Sequence, residues 1–259
     1  MFGGGTLPFS PMSGQGIPAR ISDLIGRAKR TGFYTYTDFL KEPALTDALR
    51  AAKAADVAAV AYGGASYSTR RMVRFGEDGS YGDAEFPLRV LVILPKGEKF
   101  AEEMTHRDYL GALLALGIER SSVGDLLIDG KDAWVAVEAP LADFVLRSLD
   151  RVGHTAVVCR ICDVFPEALA PKTEEIRLTV SSLRLDAVLS RLWHLSRDDS
   201  QLLFARGLVT CFGRTVEKCT YTPKEGDVIA VKGYGKVTIR SFPGETKRGR
   251  IVVIADKFV

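Results

Sequence analysis

The sequence predicts an α+β protein with a mainly helical N-terminal region, a ferredoxin-like middle domain and a small C-terminal domain in which two helices precede strands. Three observations carry this prediction. Apolar residues recur at helical spacing early in the chain, strands alternate with helices after Pro87, and two helical patterns are followed by strand-like runs near the C-terminus. A chain of 259 residues can form several small domains, which we place at residues 1–80, 81–175 and 181–259.

The N-terminal region begins with twenty residues rich in Gly and Pro, which predict a poorly ordered start without a secretion signal. From Ile21 to about Phe75 the pattern is mainly helical, with apolar residues at helical spacing in Ser22–Lys29 and Leu45–Ala55. Gly63-Gly64 marks a turn. A basic cluster follows at Arg70, Arg71 and Arg74, and we interpret it first as a solvated helix face.

The middle region shows a β-α-β-β-α-β order, which is typical of the ferredoxin-like arrangement. The predicted elements are strand Leu88–Leu94, helix Thr105–Leu116, strands Asp125–Ile128 and Ala133–Val137, helix Leu141–Leu149 and strand Thr155–Ile161. RNA-recognition domains share this order, but their aromatic stacking motif is missing from Gly130–Val137, so base stacking is not expected here. Residues 163–180 are interpreted as a connection to the last domain.

The four cysteines do not favour a metal site. Cys159 and Cys162 form a C-x-x-C pair, but seven residues separate Cys211 from Cys219 and no His lies near either pair. A disulfide framework is not expected in a chain of this size without an export signal. We therefore predict reduced core cysteines, no metal and no cofactor.

Charge is distributed unevenly along the chain. Residues 181–259 contain 14 Lys and Arg against 8 Asp and Glu, whereas residues 1–180 contain 21 against 24. This asymmetry indicates either a polyanionic partner for the C-terminal end or a solvated basic surface.

The C-terminal domain begins with two predicted helices. Within Leu183–Leu195 the apolar residues follow i, i+3, i+4, i+7 spacing, while Arg184 and Arg191 fall on another face. Ser196, with Asp199 three residues later, predicts the capped start of a second helix, and Gly207 suits its C-terminal turn. The strands that follow are predicted at Leu208–Phe212 and Asp227–Val231.

Four short motifs in this domain resemble the RNA-binding domain of ribosomal small-subunit protein S-four. They are Arg184-Leu185-Asp186, Leu195-Ser196-Arg197, Gly207-Leu208-Val209 and Gly226-Asp227-Val228-Ile229-Ala230-Val231. The resemblance implies an S-four-type αL domain whose two helices face RNA phosphates. Arg forks and helix N-terminal amides suit phosphate oxygens. In the alternative interpretation, Arg184 and Arg197 pair with Asp186, Asp198 or Asp199 and only tie the helices together.

The candidate RNA contacts follow from this resemblance and from the glycine-flanked basic stretch Lys232–Lys236, where Tyr234 could stack on a base. They are Ser182, Arg184, Arg191, Ser196, Arg197, Gln201, Arg206, Arg214, Lys218, Lys232, Tyr234 and Lys236. Secondary candidates are Arg70, Arg71, His106 and Arg107.

Longer motifs throughout the chain resemble the YlmH family of ribosome-associated proteins. They include Thr37-Asp38-Phe39-Leu40, His106-Arg107-Asp108-Tyr109-Leu110-Gly111-Ala112-Leu113, Leu116-Gly117-Ile118 and Gly233-Tyr234-Gly235-Lys236. The resemblance implies a non-enzymatic protein that binds large-subunit rRNA, and tRNA in addition. It further implies quality control of stalled subunits that carry peptidyl-tRNA. We expect a cytoplasmic monomer whose partners are structured RNA and the ribosome, with no membrane contact.

Two other functional classes remain open. The chain could be an rRNA-modifying factor related to pseudouridine synthases, although those usually carry the binding domain ahead of a larger catalytic domain. It could also be an adaptor whose middle domain docks a protein on the ribosome. A kinase is disfavoured, because His106-Arg107-Asp108 lacks the Asn five residues after the Asp and Leu113 stands there.

Overall fold

Two helices and a small antiparallel sheet form the N-terminal part of the protein. The structure, a computed structural model, describes residues 17–97 and 102–259, which divide into two compact units at the Ala170–Pro171 bond. The first elements are α1 (Ile17–Thr31), β1 (Thr35–Tyr36), α2 (Ala44–Ala54), β2 (Ala59–Tyr62) and β3 (Met72–Phe75), with sheet order β1-β3-β2. Ile21 and Ile25 of α1 share a core with Leu45 and Ala48 of α2 and Phe75 of β3.

The predicted mainly helical N-terminal region is therefore wrong beyond α2. The three strands have only two to four residues each, and buried residues are consecutive at Met72-Val73, so no period-2 alternation marks them. Most of the predicted poorly ordered start, residues 1–16, lies outside the described residues. Ile17–Arg20 are part of α1, which corrects the last four residues of that prediction.

The second part of this unit is built on a five-stranded antiparallel sheet. Its elements are β4 (Leu88–Pro95), α3 (His106–Ala115), β5 (Val123–Asp129), β6 (Asp132–Glu138), α4 (Ala139–Ser148), β7 (Arg151–Val152) and β8 (Thr155–Cys162). The strands lie in the order β5-β6-β4-β8-β7, so the predicted elements occur in the predicted sequence, with β7 as an additional short edge strand.

Each face of the five-stranded sheet has its own apolar cluster. On the helix-covered face, Tyr109 of α3 and Val145 of α4 pack with Leu91 and Val135. On the opposite face, Phe39 joins a cluster with Val90, Ala136 and Phe165. Gly124 is required by this packing, because a Cβ there would lie 2.7 Å from the Phe39 ring.

The C-terminal unit is a six-stranded antiparallel sheet covered by two helices. Its elements are β9 (Thr173–Val180), α5 (Leu185–Leu192), α6 (Arg197–Ala205), β10 (Val209–Cys211), β11 (Arg214–Thr215), β12 (Val228–Val231), β13 (Gly235–Glu245) and β14 (Ile251–Phe258). The sheet order is β11-β10-β12-β13-β14-β9. Leu185, Val188 and Leu189 of α5 are fully buried against Ile229 and Val253, which places the core between helices and sheet.

Two predictions for this unit need correction. Residues 163–180 are not merely a connection, because β9 pairs along its whole length with β14. Its alternation of Ile176, Leu178 and Val180 was obscured by the charged residues between and before them. The first helix begins at Leu185 and not at Leu183, with Arg184 as its extended N-cap residue.

None of the described helices has the length and apolar character that crossing a membrane requires. The predicted boundary near residue 80 lies within the first unit and stays a prediction.

Candidate RNA-binding surface

A buried carboxylate organises the start of α5 in the C-terminal unit. Asp186 is 2% exposed and accepts hydrogen bonds from Arg184 Nε at 3.1 Å, Arg184 Nη2 at 2.7 Å and the Ala187 amide at 2.9 Å. Burial alone would raise the pKa of Asp186, but the hydrogen bonds and charge of Arg184, together with the Ala187 amide, bring this pKa below its ordinary value. The carboxylate is therefore charged at neutral pH and needs Arg184 as its counterion.

The same residue connects the two helices. Its backbone carbonyl accepts a hydrogen bond of 2.7 Å from Ser200 Oγ, and Ser200 is fully buried on α6. Gln201 Nε2 lies 3.5 Å from Asp186 Oδ2, and the preceding amide, Leu185 N, donates to Tyr221 O at 2.8 Å. The Arg184-Leu185-Asp186 motif thus positions α5 against α6 and against the loop after β11.

Two residues predicted to contact RNA, Arg184 and Gln201, are thus already engaged with Asp186. Arg184 uses Nε and Nη2 to neutralise Asp186, which is the pairing foreseen in the alternative interpretation of this motif. Gln201 is exposed but also directs its amide towards Asp186. A substitution of Arg184 therefore removes the counterion of the buried Asp186, and its effect on RNA binding could not be separated from its effect on the fold.

Ser196 caps α6, as the sequence predicted. Its Oγ accepts from Asp199 N at 3.0 Å and lies 2.7 Å from Asp199 Oδ2, to which it donates. Asp198 and Asp199 place two carboxylates in the first turn. The prediction that this helix start offers amides to phosphate is disfavoured, because the cap occupies an amide and the acids repel anions.

Five of the predicted contacts are exposed cations that form no ion pair or side-chain hydrogen bond within the described residues. They are Arg191, Arg197, Arg206, Lys218 and Lys232. The alternative in which Arg197 pairs with Asp198 or Asp199 is therefore wrong for the described structure. Solvated cations of this kind can neutralise phosphates without first breaking an internal contact.

The remaining predicted contacts differ in their surroundings. Ser182 is partly buried in the bend between β9 and α5, and Arg214 is exposed on the two-residue strand β11. Lys236 lies with Nζ 4.4 Å from the centre of the Phe258 ring, so this cation already has an aromatic partner.

Tyr234 lies in the turn between β12 and β13 and is 42% exposed. Its ring meets that of Trp193 at the end of α5, with ring centres 6.1 Å apart. Sequence reasoning missed Trp193, because nothing in its local pattern shows that a turn forty residues later returns to it.

Arg70, a predicted secondary contact in the first unit, has a structural role. Its Nε donates to Val123 O at 2.9 Å, and its Nη2 donates to Phe39 O and Arg120 O, both at 3.1 Å. Burial, and then the charge of Arg120, lower the pKa of Arg70 to about 10. The guanidinium of Arg70 thus joins backbone segments of the first unit, and its role as an RNA contact stays a prediction.

Of the other secondary candidates, Arg71 has an internal contact, whereas His106 and Arg107 are exposed. Arg71 donates through Nη2 to Ser66 O at 3.3 Å. His106 and Arg107 are exposed in the first turn of α3. The Asp that follows them forms a capping box, in which Asp108 Oδ2 accepts from Thr105 N at 2.7 Å and from Thr105 Oγ at 2.8 Å. The backbone hydrogen bond from Thr105 holds the pKa of Asp108 below its ordinary value.

The C-x-x-C pair is separated by the geometry of β8. Cys159 belongs to the cluster on the helix-covered face, whereas Cys162 packs with the cluster on the opposite face. Burial raises the pKa of the Cys159 thiol to about 11. Within the described residues, no three His, Cys, Asp or Glu side chains are arranged to hold a metal ion.

Comparisons with known proteins place this chain in a family. Residues 83–164 match the family model described as "Putative RNA-binding domain in YlmH". The chain is 33% identical over 218 residues to "Ribosome-associated protein quality control protein P2" of Bacillus subtilis (strain 168), covering 83% of each protein. It also resembles the structure of "Cell division protein ylmH from Streptococcus pneumoniae", with a TM-score of 0.48 and 21% identity over 56% of this chain and 88% of that one.

The chain carries the RNA-binding domain that this family model describes. It belongs to the YlmH family, as the resemblance in its sequence predicted. The matched model covers the middle of the chain. It describes as RNA-binding a region in which the sequence predicts no base stacking.

Proposed function

We propose that this protein binds rRNA of the large ribosomal subunit, mainly through the C-terminal unit. The observation that carries the proposal is the set of exposed cations, including Arg191, Arg197 and Lys232, that have no ion-pair partner in residues 17–97 and 102–259. The unit 171–259 contains 16 Lys and Arg against 10 Asp and Glu, an excess of six positive charges, so it attracts polyanions as a whole.

The proposal assigns the C-terminal unit to the S-four type and the middle domain to the ferredoxin-like type. Support for the first comes from the contact between α5 and α6 through Ser200 and Asp186, which gives the paired helices a fixed arrangement. Support for the second comes from the sheet order β5-β6-β4-β8 with both helices packed on one face. His106 and Arg107 are the exposed candidates for RNA contact in the middle domain.

The biological role we propose is quality control of stalled large subunits that carry peptidyl-tRNA. The name of the Bacillus subtilis relative, which refers to ribosome association and protein quality control, supports this role. The protein would act as a cytoplasmic, non-enzymatic monomer with rRNA and tRNA as partners. The names of the family model and of this relative both refer to binding or association, which favours this role over rRNA modification.

The test is co-sedimentation with purified large ribosomal subunits. Arg191→Glu combined with Arg197→Glu reverses two solvated charges and is expected to abolish co-sedimentation at physiological salt, because phosphate contacts are lost and repulsion is introduced. Arg184 is left intact, since replacing it would expose the buried Asp186 charge.

The matched control is Arg50→Glu with Lys53→Glu, which reverses two exposed charges on α2 of the first unit. This variant has the same net charge as the Arg191→Glu, Arg197→Glu variant, and it is expected to co-sediment with the subunits as the wild type does. The proposed surface is refuted if both double variants bind equally well or if both lose binding to the same extent.

A protein-docking adaptor remains a second candidate because two large apolar side chains are exposed on the helices of the middle domain. Leu114 on α3 is 37% exposed and Phe144 on α4 is 40% exposed. Docking through these residues would depend weakly on salt, whereas binding through phosphates weakens steeply as salt rises.

A further inference from the structure

The end of α5 and the turn between β12 and β13 bring two aromatic rings together beside exposed basic residues. Trp193 is the C-cap residue of α5, and its ring meets that of Tyr234 at 6.1 Å with an interplanar angle of 60°. Arg191 precedes this pair on α5, and Lys232 precedes it in the turn. Neither cation has an ion-pair partner among the described residues.

The turn that carries Tyr234 is open. Gly233 and Gly235 adopt φ values of +87° and +121°, which favour glycine, and a Cβ built on either would meet no atom within 4 Å. The turn therefore leaves open space beside both glycines, and the Tyr234 side chain between them is 42% exposed.

His194 occupies a backbone position at which histidine is unfavourable. It directly follows the C-cap residue of α5 and adopts φ +52°, the left-handed conformation for which glycine is the usual choice at this point of a helix. Its side chain is exposed. This backbone turn places the exposed His194 side chain directly after Trp193, so it belongs with the aromatic pair in a candidate binding site.

The indole of Trp193 has an unused donor. Its Nε1 is buried and has no hydrogen-bond partner among the described residues. Buried polar groups are normally paired, and an unpaired one is costly. A shift of the indole that brings this donor to an acceptor atom of a base beside the Tyr234 ring would remove that cost.

We propose that Trp193, His194 and Tyr234 form a stacking site for one unpaired base of the bound RNA, with Lys232 placed for the neighbouring phosphate. This inference rests on the proposed RNA-binding function and adds the kind of RNA that is recognised. Aromatic side chains bind unpaired bases of loops and bulges, whereas paired bases are sheltered within a helix. The unit is thus expected to prefer RNA with an unstacked base over a continuous duplex.

The chain offers a direct optical test because it contains two tryptophans, one in each unit. In the full-length Trp134→Phe variant, all tryptophan emission comes from Trp193. A stem–loop RNA with unpaired loop purines is expected to quench this emission on binding. A blunt RNA duplex of equal length is expected to bind through phosphates and leave the emission almost unchanged.

Two substitutions test the site without removing a tryptophan. Tyr234→Ala is expected to weaken binding of the stem–loop by roughly 5- to 150-fold, the range for loss of one base stack, while hardly affecting binding of the duplex. Tyr81→Ala, which removes a 69% exposed ring of the first unit, is the matched control and should leave both affinities unchanged.

His194→Gly separates binding from folding. Glycine suits the positive φ, so the variant is expected to be at least as stable as the wild type and yet to bind the stem–loop more weakly. A destabilised variant with unaltered RNA affinity would contradict the role of His194.

The outcomes distinguish this site from the broader proposal. If both RNAs bind with steep salt dependence but Trp193 emission does not respond, the stacking site is overturned and phosphate binding stands. Quenching confined to Trp134, observed in a Trp193→Phe variant, would also overturn it. If neither RNA binds at physiological salt, the proposed function itself fails.

Discussion

Asp186 is a single buried residue that fixes the start of α5 and determines what Arg184 contacts. The sequence presents it as part of a short motif beside Arg184, but only burial decides what the motif does. At 2% exposure the carboxylate needs its charge partner, so Arg184 is engaged within the protein. Arg197, the first residue of α6, is exposed and forms no ion pair with any described residue.

Replacing Asp186 with Asn is expected to destabilise the C-terminal unit by about 2 kcal/mol, because charge-assisted hydrogen bonds to Arg184 and Ala187 are weakened. Urea unfolding followed by Trp193 emission in a Trp134→Phe background would measure this. Asp198→Asn, which changes an exposed carboxylate on α6, is the control and should shift the midpoint little.

The pH dependence of the same unit follows from the lowered pKa of Asp186. A carboxyl whose pKa is lower in the folded state stabilises the fold above its unfolded pKa, about 3.8, and loses this contribution as pH falls through the folded value. The wild type should therefore lose stability below about pH 4 more steeply than Asp186→Asn. Parallel pH profiles would contradict this role of Asp186.

The pKa of Glu138 in the first unit is shifted in the opposite direction from that of Asp186. Burial, and then the charge of Asp38, raise the pKa of Glu138 to about 7 from an ordinary value of 4.5. Because the folded state holds the proton more tightly, stability should decrease as pH rises from 4.5 to 7 and then level off. Glu138→Gln is expected to remove this slope and to raise the melting temperature at pH 8. A melting temperature that falls at pH 8 would contradict it.

At the scale of elements, the sequence predicted long, periodic segments well and short ones poorly. The elements from β4 to β8, except the two-residue strand β7, were predicted in the right order because each is a long apolar strand or an amphipathic helix. The three strands of the N-terminal sheet have two to four residues, too few for a period to emerge. The strand β9 was missed because Glu174 and Glu175 made its exposed start look like a linker.

The start of α6 provides a test at this scale. Ser196→Ala removes the acceptor for Asp199 N and is expected to destabilise the unit by about 1 kcal/mol. Ser181→Ala, in the exposed bend before α5, is the matched control and should be neutral. Equal effects of the two substitutions on the urea midpoint would show that the cap contributes nothing.

The sequence predicted the exposed cations of the candidate surface but not the intramolecular contacts that other candidate residues form. Arg191, Arg197 and Lys232 were named from charge and motif position, and all three are exposed in the structure. The commitment of Arg70 to backbone carbonyls and the return of Tyr234 to Trp193 depend on contacts between distant segments. Local spacing contains no information about such contacts.

At the scale of the whole molecule, two units of opposite charge lie on one chain. The unit 171–259 has an excess of six positive charges, and the remaining residues, 19 Lys and Arg against 22 Asp and Glu, have a net charge of −3. This asymmetry directs a polyanion to the C-terminal unit. Membership of the YlmH family and the name of its Bacillus subtilis relative make ribosomal RNA the expected polyanion.

The most direct test of the central claim is the salt dependence of binding to large ribosomal subunits for the wild type and Arg197→Gln. Each neutralised phosphate contributes to the slope of log K against log salt concentration, by about −0.9 in double-helical DNA and about −0.7 in single strands. The wild type should show a steep slope, and Arg197→Gln should show a slope whose magnitude is smaller by about 1, the contribution of one phosphate contact. A variant with the wild-type affinity and slope would contradict the assignment of this cation to the RNA-binding surface.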